Sequence, residues 1–284
     1  MPADKKIREE ITSLQGVHSL VQTYEEIAAI RMQRVKASVL NNRDFLASLF
    51  EIYRHVKFSY QKELVQTKAA PAVKKLGTVH VLLSANTGLY GDIIHRTFDL
   101  FIKGIEGKVS DIDIVVVGKV GLRMFEAVRG NLGVSSYKYF DLPDSTSDPS
   151  DFVEIVSYIS EYEAVVVYHG QFESILTQKA MKEELSGDLP ESEIPAAGGA
   201  DYIFEPSLGK IVGFFESEIL ASIFEQSLYE SSLGKYAARM INLDRAVVNI
   251  GKILDKAHQD ESRSHHRSVN KKQLGLLSSM ELWK

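Results

Sequence analysis

Proline is absent from residues 3–70 and again from residues 207–284, about half of this 284-residue chain. Six of its seven prolines lie between Pro71 and Pro206, and the seventh is Pro2. A proline inside a helix removes a hydrogen bond and clashes with the preceding turn, costing roughly 3 kcal/mol. Two long proline-free arms around a proline-bearing middle therefore predict two long helices flanking a globular insert. The expected division is 1–70, 71–206 and 207–284. A repeat array, a collagen-like chain and an all-β protein all fit this pattern badly.

The first arm carries a heptad-like rhythm. Steps of four and three from Ile7 fall on Ile11, Leu14, His18, Val21, Glu25, Ala28, Met32, Val35, Val39, Asn42, Leu46, Leu49, Tyr53, Val56 and Tyr60. Only His18, Glu25 and Asn42 are polar along this seam, and Gly16 is the only glycine before Gly77. A spacing near 3.5 sustained this long reads as coiled coil. About 55 helical residues would span roughly 80 Å, against a radius of gyration near 19 Å for a compact chain of this length. Such a helix needs a partner along its length. The second arm supplies one: Met240, Leu243, Val247, Ile250, Leu254 and Ala257 step by three and four as well. Arms returning to one edge of a domain pair antiparallel. From His258 to Ser268 the stripe is lost and the helix is polar nearly all round, before an apolar tip at Leu274, Leu276, Leu277, Met280, Leu282 and Trp283.

The middle alternates β-rich and helical runs. Strands are expected at 78–83, 112–117, 136–140 and 164–168, the last closed by His169-Gly170. Helices are expected at 92–103, 122–128 and 152–159, with loops at 142–150 and 185–200. Continuous Val/Ile runs between helices indicate buried, mostly parallel strands. The fold class is thus α/β: two long terminal helices forming an antiparallel coiled coil, plus a central Rossmann-like domain with a mostly parallel sheet.

Composition removes several functions. Apolar residues make up 44% of the chain, enough for a core. The balance of 33 basic and 38 acidic residues, net −5, argues against a nucleic-acid partner. With no cysteine there is no disulfide scaffold, thiolate zinc site, iron–sulfur cluster or thiol nucleophile, which fits a reducing compartment. The first ten residues are charged and lack the apolar stretch of a signal peptide. No run approaches the ~18 apolar residues that a membrane-spanning helix needs.

An α/β middle invites a nucleotide-site reading. Gly-Lys occurs at 107, 118, 209, 234 and 251, never followed by Ser or Thr, and no G-x-G-x-x-G is present, so a phosphate-binding loop is absent. Gly88-Leu-Tyr-Gly91 follows the first strand, where backbone N–H groups at a helix start can bind anions; a tight strand-to-helix turn is the plainer reading. His265-His266 point about 100° apart on a helix and read as a solvated face. His80 and His169 read as core-edge histidines, and Asp111 and Asp113 as strand-edge solvation. No catalytic residue, cofactor site or metal site emerges. Between Lys256 and Lys272 five basic residues face Asp260 and Glu261, a segment suited to an acidic protein partner or simply to solubility.

Three stretches together resemble the gamma subunit family of F-type ATP synthases. Ile7-Arg-Glu-Glu-Ile11, Ser13 and Leu20 through Ile27-Ala28-Ala-Ile-Arg31 look like that family's N-terminal arm, with Arg31 where it has lysine. Leu83-Ser-Ala-Asn-Thr-Gly88-Leu-Tyr-Gly91 is similar to its "S-D-x-G-L-C-G", with Asn86 in the aspartate region and Tyr90 for cysteine. Tyr202-Ile-Phe-Glu-Pro-Ser207, Leu228-Tyr-Glu-Ser-Ser and Ala237-Ala-Arg239-Met240, with Asn249, match its most specific signature. Asn270-Lys-Lys-Gln273 comes late and lacks the family's arginine; Arg263 or Arg267 stands nearest. The segment 258–268 looks like an insertion.

The resemblance implies a non-catalytic rotor shaft inside a ring of alpha and beta subunits. An epsilon-like subunit and a membrane c-ring would lie against the body, with no membrane span of its own. Its place would be peripheral, at the cytoplasmic face of a bacterial-type energy-transducing membrane. Arg31, Arg34, Arg263 and Arg267 are then candidates for acidic catch loops, and Gln273, Leu277 and Trp283 for the tip. An autonomous anion- or nucleotide-binding module with coiled-coil dimerisation arms, and a scaffold or tether, are the rivals.

Overall fold

A computed structural model describes residues 2–67, 76–144, 149–185 and 207–281, with side chains described for 5–60, 76–144, 150–185 and 207–278. Element α1 is a single helix, Pro2–Thr67, and α5 is another, Leu208–Glu281. Between them lie β1 (Leu76–Leu83), α2 (Ile93–Ile105), β2 (Ile112–Val117), α3 (Lys119–Leu132), β3 (Lys138–Phe140), a 3-10 turn (Pro149–Asp151), α4 (Val153–Ile159), β4 (Tyr162–Phe172) and β5 (Gln178–Leu185). The chain divides into two compact units, Ile30–Ala238 on one hand and Met1–Ala29 with Arg239–Lys284 on the other. Both long helices contribute to each.

In the larger unit the five strands form one sheet in the order β3-β2-β1-β4-β5. All pairs are parallel except β4 with β5. Alternation along β1 explains the two cores. Val79, Val81 and Leu83 point to one face, where Val115, Val117, Val165 and Val167 meet Phe152 at the start of α4, Ile155 and Ile159 within it and Leu220, Phe224 and Leu228 of α5. Leu82 points to the other, where Ile114, Val116, Val166 and Tyr168 meet Phe98, Phe101 and Ile105 of α2 and Phe125 of α3. A parallel sheet covered on both faces requires strands that are apolar on both sides, which the Val/Ile runs provide.

Two expectations about the sheet need correction, and one strand is new. The fourth strand does not close at His169-Gly170 but runs on to Phe172. Glycine is tolerated inside it because a Cβ at Gly170 would lie 2.7 Å from the Ile93 side chain, so the position has no room for one. The loop expected at 185–200 begins one residue too early: Leu185 ends β5 and is buried, while 186–200 lies outside the described residues. β5 itself was not anticipated. Its sequence Gln-Lys-Ala-Met-Lys-Glu-Glu-Leu carries four charges, and its place is fixed by the antiparallel ladder from Val165↔Leu185 to Phe172↔Gln178.

Also in the larger unit, α1 and α5 run antiparallel. Arg43 pairs with Glu230 at 2.9 Å, Asn42 Nδ2 donates to the Ser222 carbonyl at 3.0 Å, and Tyr53 OH donates to Glu216 at 3.1 Å. Leu49, Tyr53 and Val56 pack with Leu208, Val212 and Ile219.

In the smaller unit, Arg8 Nε donates to Glu261 Oε1 at 2.8 Å. Ile7, Ile11, Leu14, His18, Val21, Glu25 and Ala28 are the shielded positions at the expected steps, with exposed neighbours between most of them. The polar interval of α5 also needs correction. It continues the rhythm rather than abandoning it: after Ala257, the shielded positions Glu261, Ser264 and Ser268 follow at steps of four, three and four. His265 and His266 are exposed, as expected of a solvated face. Beyond Asn270 every described side chain is exposed, including Leu274, Leu276 and Leu277.

Candidate functional site

The strand order reverses between β1 and β4, and in open α/β sheets this is where ligands settle, at the carboxyl ends of the strands. The turn Asn86–Gly91 sits at that place. Its backbone is tightly wound: Leu89 has φ of 70°, uncommon for a residue with a side chain, and Gly91 has φ of 63°. Here the amides of Asn86 and Thr87 point inward together, which is the arrangement an anion would use.

The anion is already present and belongs to the chain. The Asp144 carboxylate accepts from the Asn86 N–H at 2.9 Å, the Thr87 N–H at 2.9 Å and the Thr87 hydroxyl at 2.7 Å. Lys235 of α5 brings its Nζ to 3.6 Å from the same carboxylate, while donating to the Ser84 carbonyl at 3.0 Å. The two side chains are only 7% and 9% exposed. Tyr236 OH closes the group by donating to the Asp144 carbonyl at 2.8 Å. Nearby, Asn86 Oδ1 accepts the Lys119 N–H at 2.8 Å and its Nδ2 donates to Asp141 at 2.6 Å. Burial works against the charged form of Asp144. The Lys235 charge, the Thr87 hydroxyl, the Asn86 amide and Tyr90 outweigh it and hold the carboxyl below its usual range. An autonomous anion- or nucleotide-binding module at this turn therefore has no support: its donors are taken by an internal carboxylate. Among the described residues no His/Cys/Asp/Glu group is arranged to hold a metal ion.

A second polar joint ties the β4–β5 hairpin to α5. Glu183 accepts from Ser227 Oγ at 2.8 Å and lies 3.3 Å from His169 Nε2. His169 foremost, together with Ser227, holds this carboxyl low against the opposing effect of burial. The same hydroxyl also lies 3.1 Å from the Ile223 carbonyl one turn back, the usual resting place of a serine inside a helix. Seven residues on, Gly234 lies against the Gly170 carbonyl; a Cβ there would stand 2.9 Å from it.

The residues singled out from the sequence are spread along the two helices. Ala28 is buried, Ile27 is 40% exposed, and Arg31 and Arg34 are exposed. Gly88 and Gly91 are exposed in the turn. Arg239 and Met240 are half-buried, whereas Arg263, Arg267 and Gln273 are exposed. Arg263 lies 3.6 Å from Asp260 on its own helix. Leu277 is 63% exposed, and Trp283 lies outside the described residues. Sequence reasoning missed Asp144, Lys235 and Glu183. Its one available signal was a lysine and a small-residue stripe, Ser227, Ser231 and Gly234, on an otherwise apolar helix face.

Comparison with known proteins agrees with this architecture. The ATP synthase family model matches residues 4–268. The chain is 22% identical over 276 residues to an ATP synthase gamma chain of Pelotomaculum thermopropionicum, covering 95% of each. It is 23% identical over 288 residues to that of a Geobacter species, covering 98% of this chain and 97% of the relative. Among solved structures it is similar to a chain of the Euglena gracilis mitochondrial ATP synthase OSCP/F1/c-ring assembly. That match has a TM-score of 0.64 at 15% identity, covering 98% and 94% of the two chains. A chain of the Tetrahymena thermophila mitochondrial ATP synthase central stalk and c-ring gives a TM-score of 0.54 at 16% identity, covering 80% and 99%. Two long helices bracketing a mostly parallel sheet and a family match over nearly the whole length agree: the chain belongs to the gamma-subunit family of ATP synthases.

Proposed function

We propose that this chain is the central rotor stalk of a rotary ATP synthase, coupling ion-driven rotation of a membrane ring to ATP synthesis or hydrolysis on other subunits. The observation that carries the reading is the pair of helices of 66 and 74 residues around one α/β body. Helices of that length suit a shaft. Segments 1–70 and 207–284 would form the antiparallel coiled coil and 71–206 the body. The Arg8–Glu261 pair and the shielded positions at steps of three and four support that pairing.

An asymmetric shaft acts by making different contacts with each catalytic partner, so each site is biased toward a different affinity. Arg31, Arg34, Arg263 and Arg267, all exposed, would meet acidic catch loops of the catalytic subunits. Ile27, Ala28, Arg239 and Met240 would lie in the shaft wall. Gln273, Leu277 and Trp283 would belong to the tip, where exposed Leu274, Leu276 and Leu277 fit an apolar bearing. Gly88 and Gly91 would mark the body's surface toward the ring. An epsilon-like subunit and the c-ring would meet the rest of the body. No described helix is long and apolar enough to cross a membrane, which accords with a peripheral place at the cytoplasmic face of a bacterial-type energy-transducing membrane.

The test is the mass of the native complex together with nucleotide binding by the isolated chain. One copy per three catalytic subunits and no ATP binding are expected. A homodimer as the sole native assembly would sink the reading. Removing residues 270–284 should weaken torque while leaving assembly largely intact; unchanged hydrolysis and coupling would refute the tip assignment.

A further inference from the structure

We propose that Lys235 and Asp144 form a register pin: a buried polar joint that fixes the axial position and rotation of α5 on the sheet and carries twist between the two. The mechanical part rests on the rotor reading; the pinning part does not.

Apolar contacts are non-directional. The face of α5 that meets the sheet through Leu220, Phe224 and Leu228 would tolerate small slides on that contact alone. The polar joint would not. Asp144 is held from the body side by two backbone amides and a hydroxyl, so its carboxylate is a fixed socket. Lys235 reaches it from α5 at 3.6 Å and is tied to the Ser84 carbonyl at 3.0 Å. A slide of one helical turn, about 5.4 Å, exceeds that reach and strands a buried carboxylate without its cation.

Tyr236 donates to the Asp144 backbone from the next position of the helix. Adjacent helical residues diverge by about 100°, so the two bonds together resist rotation as well as translation. Gly234, next to the lysine, lets the helix lie close to β4, since a Cβ there would stand 2.9 Å from the Gly170 carbonyl. One cluster thus joins the loop after β1, the loop after β3 and α5. Buried polar pairs have their best-attested use in setting register rather than in adding stability.

Hydrogen exchange on the full chain tests the pin. In Lys235→Met, the Asn86 and Thr87 amides should exchange roughly tenfold faster or more, while the Val115–Val117 strand amides keep their rates. Asp144→Asn should accelerate the same two amides, and the double variant should be no faster than the worse single one. Unchanged rates at Asn86 and Thr87, or acceleration spread evenly over the sheet, would overturn the proposal.

The mechanical part is read in the assembled complex, as the thermal angular spread of a bead on the stalled rotor. Lys235→Met should widen the variance about twofold or more, and an unchanged spread with the pair broken overturns torque transfer through this joint. If the unaltered chain fails to assemble with alpha and beta subunits, the rotor reading falls, and exchange alone decides the pin.

Discussion

One helix, α5, is held in two different ways along its length. From Ser227 to Ala238 every residue except half-buried Glu230 is buried, among two Tyr rings, small Ser and Gly positions and an internal ion pair. Beyond Ala238, Leu243 is the only fully buried residue among the described side chains. The first stretch belongs to a domain core, where neighbours on all sides dictate position. The second has shielding on one stripe and solvent elsewhere, so its order depends on helix propensity and on a single seam. The difference teaches that chain length in one helix does not imply uniform stability. The body-bound part should open only with global unfolding, and the outer part should open locally.

The largest effect should come from the core. Phe224→Ala empties a fully buried site between sheet and helix and should lower unfolding free energy by about 3–5 kcal/mol in urea titration. A loss below about 1 kcal/mol would mean that α5 is not part of the body's core.

Next comes a pH effect confined to the body. Burial, with help from Lys108 and Lys182, lowers His80 to about 4, against a weaker opposing pull from Glu184. The unfolded chain takes up this proton near pH 6.5 and the folded chain resists until about 4. Stability is therefore fully present above roughly pH 6.5 and falls by about 3 kcal/mol as the pH drops to about 4. His80→Gln should flatten that limb; an identical slope would show that the imidazole is not responsible. Asp144 titrates in the same direction lower down. Its contribution is present above roughly pH 4 and lost below it, and Asp144→Asn removes that dependence.

Smaller effects belong to the outer stretch. Leu254→Ala, at a half-shielded seam position, should cost about 1 kcal/mol, seen as faster exchange around it with the body unchanged. Equal acceleration in the sheet would erase the contrast between the two stretches. The smallest is Arg8→Ala. Its partner Glu261 is only partly shielded and Arg8 itself is mostly exposed, so a loss of at most about 0.5 kcal/mol, fading with added salt, is expected.

What the sequence revealed and what it hid follow the range of the forces involved. The seam from Ile7 to Tyr60 was legible because each step of three or four is buried or half-buried, and periodicity is a local property. Strand β2, Ile112–Val117, was legible because its run from Ile114 to Val117 is covered on both faces and so must be apolar. Strand β5 was not, because its reason for being a strand is the ladder to β4 and not its own residues. Gly170 misled because glycine usually ends a strand; here it makes room for Ile93. The polar stretch of α5 misled because Ser264 and Ser268 keep the seam's rhythm without its apolarity. Lys235 and Asp144 were hidden by their separation along the chain, since nothing near either residue announces the other.

The carboxylate in the crevice has one more consequence. A site that holds a diffusible ligand is governed by an equilibrium, empty or full according to concentration. Here the occupant is part of the polypeptide, and its effective concentration is set by a short tether rather than by the surroundings. Wherever Asp144 is charged, the crevice is therefore filled as long as the chain is folded. Its occupancy follows the folding of the chain and not the concentration of any solute.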